Sequence, residues 1–105
     1  MSMTVIVTRN VSPRVRGFLA SVLLEMAPGV YSAPRLSPAV RDRIWDVLES
    51  WFPHEVDASI VMVWQSHDMP GGQDAKMLGT PKIGLVEVDG ILLSRREIPS
   101  KSVDM

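Results

Sequence analysis

Three arginines stand close together in the segment TRNVSPRVRG, residues 8–17. They are Arg9, Arg14 and Arg16, and no acidic residue lies among them in the sequence. A guanidinium group donates hydrogen bonds in one plane and matches the oxygens of a phosphate. Arginines beside the first turn of a helix, where free backbone N–H groups also attract anions, indicate a phosphate-binding site. Exposed arginines paired with distant acids are the alternative interpretation.

The charge of the chain is distributed unevenly along its length. Residues 1–45 contain six arginines and two acidic residues, a net charge of +4. Residues 46–105 contain five Lys or Arg and ten Asp or Glu, a net charge of −5, and the whole chain has −1. Such asymmetry is typical of a basic face that meets a polyanion, although chance sorting of solvated charge gives the same counts.

A strand and a helix must position these arginines. The run Met3–Thr8 is apolar and β-branched, which predicts a buried strand. Ser12 followed by Pro13 is typical of a helix start, and the sequence Ala27–Gly29 predicts its end. The apolar residues expected on the buried face of this helix are Val15, Phe18, Leu19, Val22, Leu23 and Met26.

The same start signal recurs at Ser37 and Pro38, and Pro53 ends the second predicted helix. Its expected buried residues are Val40, Ile44, Val47, Leu48 and Trp51. A short extended segment, GVYS, separates the two helices, and residues 57–64 predict a second strong strand. A weaker strand follows at residues 75–78, and residues 85–94 form either a strand pair around Asp89-Gly90 or one bulged strand.

The order β-α-β-α-β-β, followed by a C-terminal strand, predicts an α+β fold. The expected architecture is a ferredoxin-like sandwich, with two helices on one face of a mainly antiparallel sheet. Residues 1–95 would form this single domain, and residues 96–105 a polar C-terminal tail. The sheet face without helices would be buried in a dimer.

Other kinds of chemistry have weak signals in this sequence. It has no cysteine, and neither His54 nor His67 has metal-ligand spacing to a second histidine. There is no P-loop, dinucleotide or nucleophile-elbow motif, so we expect no catalytic residue and no metal ligand. The absence of a signal segment and of an 18-residue apolar run predicts a cytoplasmic protein that does not enter a membrane.

The N-terminal third of the chain resembles the CRISPR-associated family Cas-two, in its type I-E branch. The pattern VVVT-x-N-x-PPRLRG-x-L-x-x-x-LLE-x-x-x-GVY of that branch is matched almost position for position by TVIVTRNVSPRVRGFLASVLLEMAPGVY. The segments LSPAVRDRIWDVL, VMVWQS and GLVEVDGILL are also similar, so that the resemblance covers about residues 1–95.

The resemblance implies a homodimer that bridges two dimers of the integrase subunit, Cas-one, during spacer acquisition and forms a basic platform under a short DNA duplex. The family's DNA-backbone contacts are matched here by Asn10, Arg14, Arg16, Arg41 and Lys82. Arg9 is added to this predicted DNA-binding set. Ala39 stands where the branch often has a lysine, and Lys82-Ile83 where it has an arginine pair. The set of DNA contacts therefore either has fewer residues than is usual in that branch or uses Arg35, Arg43 and Lys76 instead.

Many members of that family carry a carboxylate at the end of the first strand, and a symmetric acidic pair would hold a divalent metal for hydrolysis. Here the position is Arg9, which repels a metal ion and attracts phosphate. A non-catalytic DNA scaffold without a cofactor is therefore the first interpretation. A magnesium-dependent endonuclease that uses carboxylates such as Asp68 or Asp74 is the alternative, and a small-ligand-binding regulatory domain is a third.

The C-terminal strand is expected to act through partners, because it follows a completed set of strands and helices. A lone apolar strand at the end of a domain tends to add to another sheet edge. In the family this region crosses to the other protomer and contacts the integrase subunit. We therefore predict that Ile91, Leu92 and Leu93 are buried between protomers and that Arg95, Arg96 and Ile98 belong to a partner-binding edge.

Overall fold

A five-stranded sheet and two helices form the body of the molecule. The computed structural model describes residues 2–79, 83–88 and 90–96. In chain order the elements are β1 (Ser2–Arg9), α1 (Pro13–Val22), β2 (Leu24–Ala27), β3 (Val30–Leu36), α2 (Pro38–Trp51), β4 (Ser59–Gln65), β5 (Gln73–Gly79), β6 (Ile83–Val88) and β7 (Ile91–Arg96). Short 3-10 helices at Phe52–His54 and Pro70–Gly72 precede β4 and β5.

The strands of the sheet lie in the order β2-β3-β1-β4-β5, and all neighbouring pairs are antiparallel. Helix α1 connects β1 to the β2–β3 hairpin, and α2 connects β3 to β4. This connection of the first four strands is the ferredoxin-like arrangement, so the predicted α+β fold is confirmed.

The hydrophobic core lies between the helices and one face of the sheet. Ile6 of β1 and Met62 of β4 are fully buried there against Leu19 of α1 and Leu48 of α2. Alternate residues of β1 point to the other face, where Met3 is 50% and Val7 43% exposed. We call this second surface the open face; it also carries the half-buried Val5, Val61 and Val63.

Helix α1 is shorter than its apolar pattern predicts, because it ends at Val22 and the next residues form a strand. Residues Leu24–Ala27 pair with β3 as an edge strand of the sheet, so the prediction that the helix reaches Met26 was wrong. Val22 and Met26 are 46% and 63% exposed, and Val40 of α2 is 42% exposed, instead of buried. Within the described ranges, neither helix is long and apolar enough to span a membrane.

The chain reverses between β2 and β3 at Gly29, whose φ of 81° favours glycine. The backbone N–H and the hydroxyl of Thr8 both donate to the Gly29 carbonyl, at 2.7 and 3.0 Å. A Cβ at position 29 would lie 2.9 Å from the Thr8 carbonyl oxygen. The turn is therefore fitted closely against the end of β1, immediately before the arginine segment begins.

The C-terminal strands β6 and β7 form a separate two-stranded sheet. They pair from Val88 with Ile91 to Ile83 with Arg96, and Gly90 has a φ of 78° at the turn. The structure therefore decides between the two predictions for this segment in favour of a strand pair. Lys82, Ile98 and most of the predicted tail 96–105 lie outside the described residues, and a single domain over residues 1–95 stays a prediction.

Candidate nucleic-acid interface

The end of β1, the start of α1 and the loop before β4 meet at one end of the sheet, which we call the β1–α1 junction. Arg9 pairs with Ser59 across the sheet, and its Nε donates to the Ser59 hydroxyl at 3.4 Å. Because β4 begins where β1 ends, the start of α1 lies beside the residues that follow α2. The junction thus joins Arg9 and Asn10 to the loop residues Glu55 and Asp57.

Ser12 is the N-cap of α1, as its sequence position predicts. Its hydroxyl accepts a hydrogen bond from the Val15 N–H at 3.5 Å, and Pro13 occupies the first helical position. The cap also has a partner from outside the helix. The Ser12 N–H donates to Oε1 of Glu55 at 2.7 Å, and the Ser12 hydroxyl donates to its Oε2 at 2.8 Å. A carboxylate of the chain itself therefore lies at the start of this helix.

Asn10 holds the loop before β4 in place. Its side-chain amide donates to the carbonyl oxygens of Val56 at 3.2 Å and Asp57 at 3.3 Å. Both Asn10 and Asp57 have positive φ angles, 58° and 52°, a conformation that Asn and Asp tolerate better than most residues. The amide donors of Asn10, which the resemblance assigns to DNA, are thus engaged within the protein.

Arg14 is exposed and lies flat on a tryptophan. Its guanidinium carbon is 4.0 Å from the ring centroid of Trp51, in the last turn of α2. The Trp51 ring also contacts Phe18, whose ring centroid is 5.3 Å away in an edge-on arrangement. A cation–π contact at such a site contributes about 0.5–1 kcal/mol and fixes the orientation of the guanidinium group. Its hydrogen-bond donors stay in the guanidinium plane and can still meet a phosphate.

Arg16 is also exposed, but it lies on the other flank of α1. Residues two positions apart on a helix do not face each other, so Arg14 and Arg16 diverge. Burial raises the pKa of the Tyr31 phenol above its ordinary value, the Glu25 carboxylate raises it further, and Arg16 opposes both effects. Arg14 lies against Trp51 of α2, and Arg16, two positions further along, projects from a different side of α1. The two guanidinium groups do not converge on one anion.

Arg41 does not join the junction. Its guanidinium carbon is 4.1 Å from the ring centroid of Trp64, near the far end of β4 from Ser59. The five-residue separation between Ser59 and Trp64 corresponds to about 17 Å along a strand. Arg41 Nε is buried and has no hydrogen-bond partner within the described part of the chain.

The other basic residues named from the sequence are scattered. Arg35 is exposed on β3, at the end of the sheet opposite the junction, because its neighbour Leu36 pairs with Ser2. Lys76 of β5 approaches Asp42 at 4.0 Å, an exposed pair of little energetic value. Arg43 is exposed on α2 and borders a groove between the helices. Among the basic residues named from the sequence and described by the structure, Arg9, Arg14 and Arg16 are the three that flank the junction.

The carboxylates proposed for a nuclease lie away from Arg9. Asp74 pairs with Trp64 in the sheet, and its Oδ1 accepts the Ala75 N–H at 2.8 Å. Asp68 lies in the exposed loop between β4 and β5. Both are near the opposite end of β4 from the junction. Among residues 2–79, 83–88 and 90–96 there is no cluster of three or more His, Asp or Glu side chains that could hold a metal ion.

The predicted partner-binding strand is β7. Ile91 and Leu93 are 59% and 48% exposed, and they share one face of the strand because they are two positions apart. The backbones of Arg95 and Arg96 pair with Gly84 and Ile83 of β6. The side chains of Leu92, Arg95 and Arg96 lie outside what the structure describes, as does all of Ile98. Burial between protomers stays a prediction.

Sequence reasoning missed the two features that shape the junction, Glu55 and Trp51. Glu55 is 43 residues from Ser12, and nothing in the local pattern PHEVD connects it to a helix start. Trp51 was expected in the core, and it is half-buried there, but its other role as a platform for Arg14 depends on how the helices pack. The antiparallel pairing of β1 with β4 brings both residues to the junction.

The two helix caps give a matched test of the Glu55 contact. Ser37 caps α2 by accepting the Val40 N–H at 3.2 Å, with no carboxylate partner among the described residues. We expect Ser37→Ala to cost about 1 kcal/mol of unfolding free energy. Ser12→Ala should cost about 2 kcal/mol, because a charge-assisted hydrogen bond is lost as well. Urea denaturation measures both, and equal losses would mean that the Ser12–Glu55 hydroxyl contact contributes nothing.

A comparison with known families identifies the chain at the level of its family. Residues 3–93 match the family model described as CRISPR-associated protein (Cas_Cas2CT1978). The match includes the whole β1–α1 junction and extends into β7. It covers most of the 105 residues of the chain. The chain therefore belongs to this family of CRISPR-associated proteins.

Proposed function

We propose that this protein is a DNA-binding scaffold subunit of the type I-E spacer-acquisition complex. In this role a homodimer supports a prespacer duplex and bridges dimers of the integrase subunit, Cas-one. Membership of the CRISPR-associated family supports a role in that system. The observation that carries the DNA-binding part is the arrangement of Arg9, Arg14 and Arg16 around the end of β1 and the start of α1.

The divergence of Arg14 and Arg16 favours a long polyanion over a small one. Each arginine is exposed on its own flank of α1, so each is free to contact a different phosphate. Phosphates along a duplex are read one at a time by separate side chains, and such contacts carry no sequence information. The rigid stacking of Arg14 on Trp51 reduces the side-chain entropy lost when it binds. The site is therefore suited to the backbone of duplex DNA.

The open face supports the homodimer in this proposal. It exposes Met3 and Val7 on a strand that lies at the centre of the sheet. Aliphatic residues continue across the neighbouring strand at Val61 and Val63. An apolar sheet face of this kind is commonly covered by a symmetric partner. A dimer would also double the number of junction arginines available to one duplex.

Filter binding with two unrelated duplexes of equal length, each at two salt concentrations, tests the proposal. We expect equal affinity for both sequences and a steep loss of affinity as salt rises, because each neutralised phosphate releases counterions. Binding that ignores salt, or that prefers one duplex strongly, would contradict a backbone-reading scaffold. A regulatory domain that binds a small ligand would give no salt-sensitive binding at all.

The alternative function is a magnesium-dependent endonuclease. Arg9 at the end of β1 opposes it, because a cation there repels Mg²⁺ and offers it no oxygen ligand. We therefore expect no Mg²⁺-dependent cleavage of RNA or DNA that depends on the end of β1. Stoichiometric cleavage that survives repurification and is lost in Asp68→Asn or Asp74→Asn would favour the nuclease instead.

A further inference from the structure

We propose that Glu55 closes the start of α1 to phosphate, and that the junction thereby accepts the continuous backbone of a duplex while it rejects terminal phosphates and free mononucleotides. This inference deepens the proposed function and rests on it for the duplex. It names a residue outside the arginine segment as the one that selects the ligand class.

Two of the three backbone N–H groups of residues 12–15 are already used, and only that of Arg14 is left. Among the residues from 12 to 15, the Ser12 N–H donates to Glu55 and the Val15 N–H to the Ser12 hydroxyl. Pro13 has no N–H group. The Arg16 N–H already makes the first helical bond, to the Ser12 carbonyl at 3.1 Å. A bound phosphate would normally collect several such N–H groups, so this helix start cannot offer an anion the usual set of donors.

The charge of Glu55 acts in the same direction. Its carboxylate occupies the place at the helix start where an anion would gain most from the helix dipole. A second anion placed there would meet a like charge at close range. Phosphates can still approach from the outer flanks of α1, where Arg14 and Arg16 project.

The position of Glu55 is fixed by the surrounding loop. Its N–H donates to the Phe52 carbonyl at 2.9 Å, which ties it to the 3-10 helix after α2. Asn10 binds the carbonyls of the next two residues, Val56 and Asp57. The backbone of residues 55–57 is thus held in place by Phe52 and Asn10, and the Glu55 carboxylate is bound by Ser12. A ligand that displaces the carboxylate must break both of its hydrogen bonds to Ser12.

A terminal phosphate and a backbone phosphodiester differ in what they require. A terminal monophosphate carries up to two charges and three free oxygens, and it is bound best by donors that converge on it. A backbone phosphodiester carries one charge and is held by single contacts repeated along the strand. Arg14 and Arg16 lie on different sides of α1, and Glu55 takes the Ser12 N–H and adds a negative charge at the helix start, so the junction fits the second kind of ligand better than the first.

Two variants of Glu55 separate its charge from its volume. Glu55→Gln keeps an acceptor for the Ser12 N–H and removes the charge, so affinity for a 5′-hydroxyl duplex should rise about threefold at low salt. Glu55→Ala opens the helix start, and we expect inorganic phosphate to raise the melting temperature of this variant but not that of the wild type. Glu49→Gln, an exposed acid on α2, is the matched control and should leave both measurements unchanged.

The readouts distinguish failure of this inference from failure of the proposed function. If the wild type binds duplexes with the expected salt dependence but Glu55→Gln and Glu49→Gln behave alike, the inference is wrong and the scaffold role stands. Tighter binding of the wild type to a 5′-phosphorylated duplex than to its 5′-hydroxyl form would also overturn it. Absence of salt-dependent duplex binding would refute the scaffold role. The melting temperature of Glu55→Ala with and without inorganic phosphate would then still decide whether Glu55 closes the helix start.

Discussion

Replacing Arg14 and Arg16 together with alanine is expected to lower the affinity for duplex DNA by about 100-fold in a dimer that presents both junctions. Both side chains are exposed at the start of α1 and neither makes an ion pair with another described residue. Four phosphate contacts would be lost per dimer. The plot of log affinity against log salt should become shallower by three to four, that is, about 0.9 for each lost contact. Filter binding across a salt series measures both quantities.

Two further variants keep this result interpretable. Arg14→Ala also removes the stacking on Trp51, so Arg14→Leu with Arg16→Ala retains an apolar cover on the ring while it removes the same charges. Arg35→Ala with Arg43→Ala changes the net charge equally at sites outside the junction and should have a small effect. Equal losses in the control pair would mean that DNA binding is not centred on the junction. Urea denaturation confirms that each variant is folded.

The second large effect is expected at β7. Ile91→Asp with Leu93→Asp should convert the proposed homodimer to a monomer at micromolar concentrations, because two apolar contacts would be replaced by charges that a dimer interface would bury. Ile91 and Leu93 are 59% and 48% exposed in the single protomer, so the substitutions should leave the protomer folded. Sedimentation velocity measures the oligomeric state, and co-purification with the integrase subunit measures partner binding.

The control for this variant is Val56→Asp, which adds a charge at an apolar residue that is 77% exposed in the loop beside the junction. It should remain dimeric. Point substitutions are preferable to truncation after residue 89, because β6 pairs only with β7 within the described residues and would lose its partner. Truncation after residue 99 should leave the dimer intact. A dimer that survives both Ile91→Asp and Leu93→Asp would show that β7 is not part of the interface.

Local sequence was sufficient for the helix starts and the central strands. Ser12 and Ser37 each precede a proline, and each caps a helix at the predicted position, because capping depends only on the cap residue and the three residues after it. The central strands β1 and β4 consist mainly of β-branched and other apolar residues, and they lie where predicted. For residues 85–94 the Asp-Gly signal left a strand pair and one bulged strand open, and the structure has the strand pair β6–β7.

Tertiary structure decided the end of α1. The residues Leu24–Ala27 have high helix propensity and continue the apolar period of the helix. They form a strand because their backbone groups pair with β3 at the edge of the sheet. Propensity differences of a few tenths of a kcal/mol per residue cannot outweigh a set of backbone hydrogen bonds and a hairpin turn at Gly29.

Some features of the candidate site also follow from the sequence alone, and others follow only from the fold. The sequence alone determined that three arginines surround the start of a helix and that the end of β1 has no carboxylate. Only the fold decided three contacts: the ring of Trp51 against Arg14, the ring of Trp64 against Arg41, and the hydrogen bonds between Glu55 and Ser12. These contacts join residues that are far apart along the chain, so they follow from strand order and helix packing. No local pattern encodes them, because the energy of each contact exists only when the sheet has assembled.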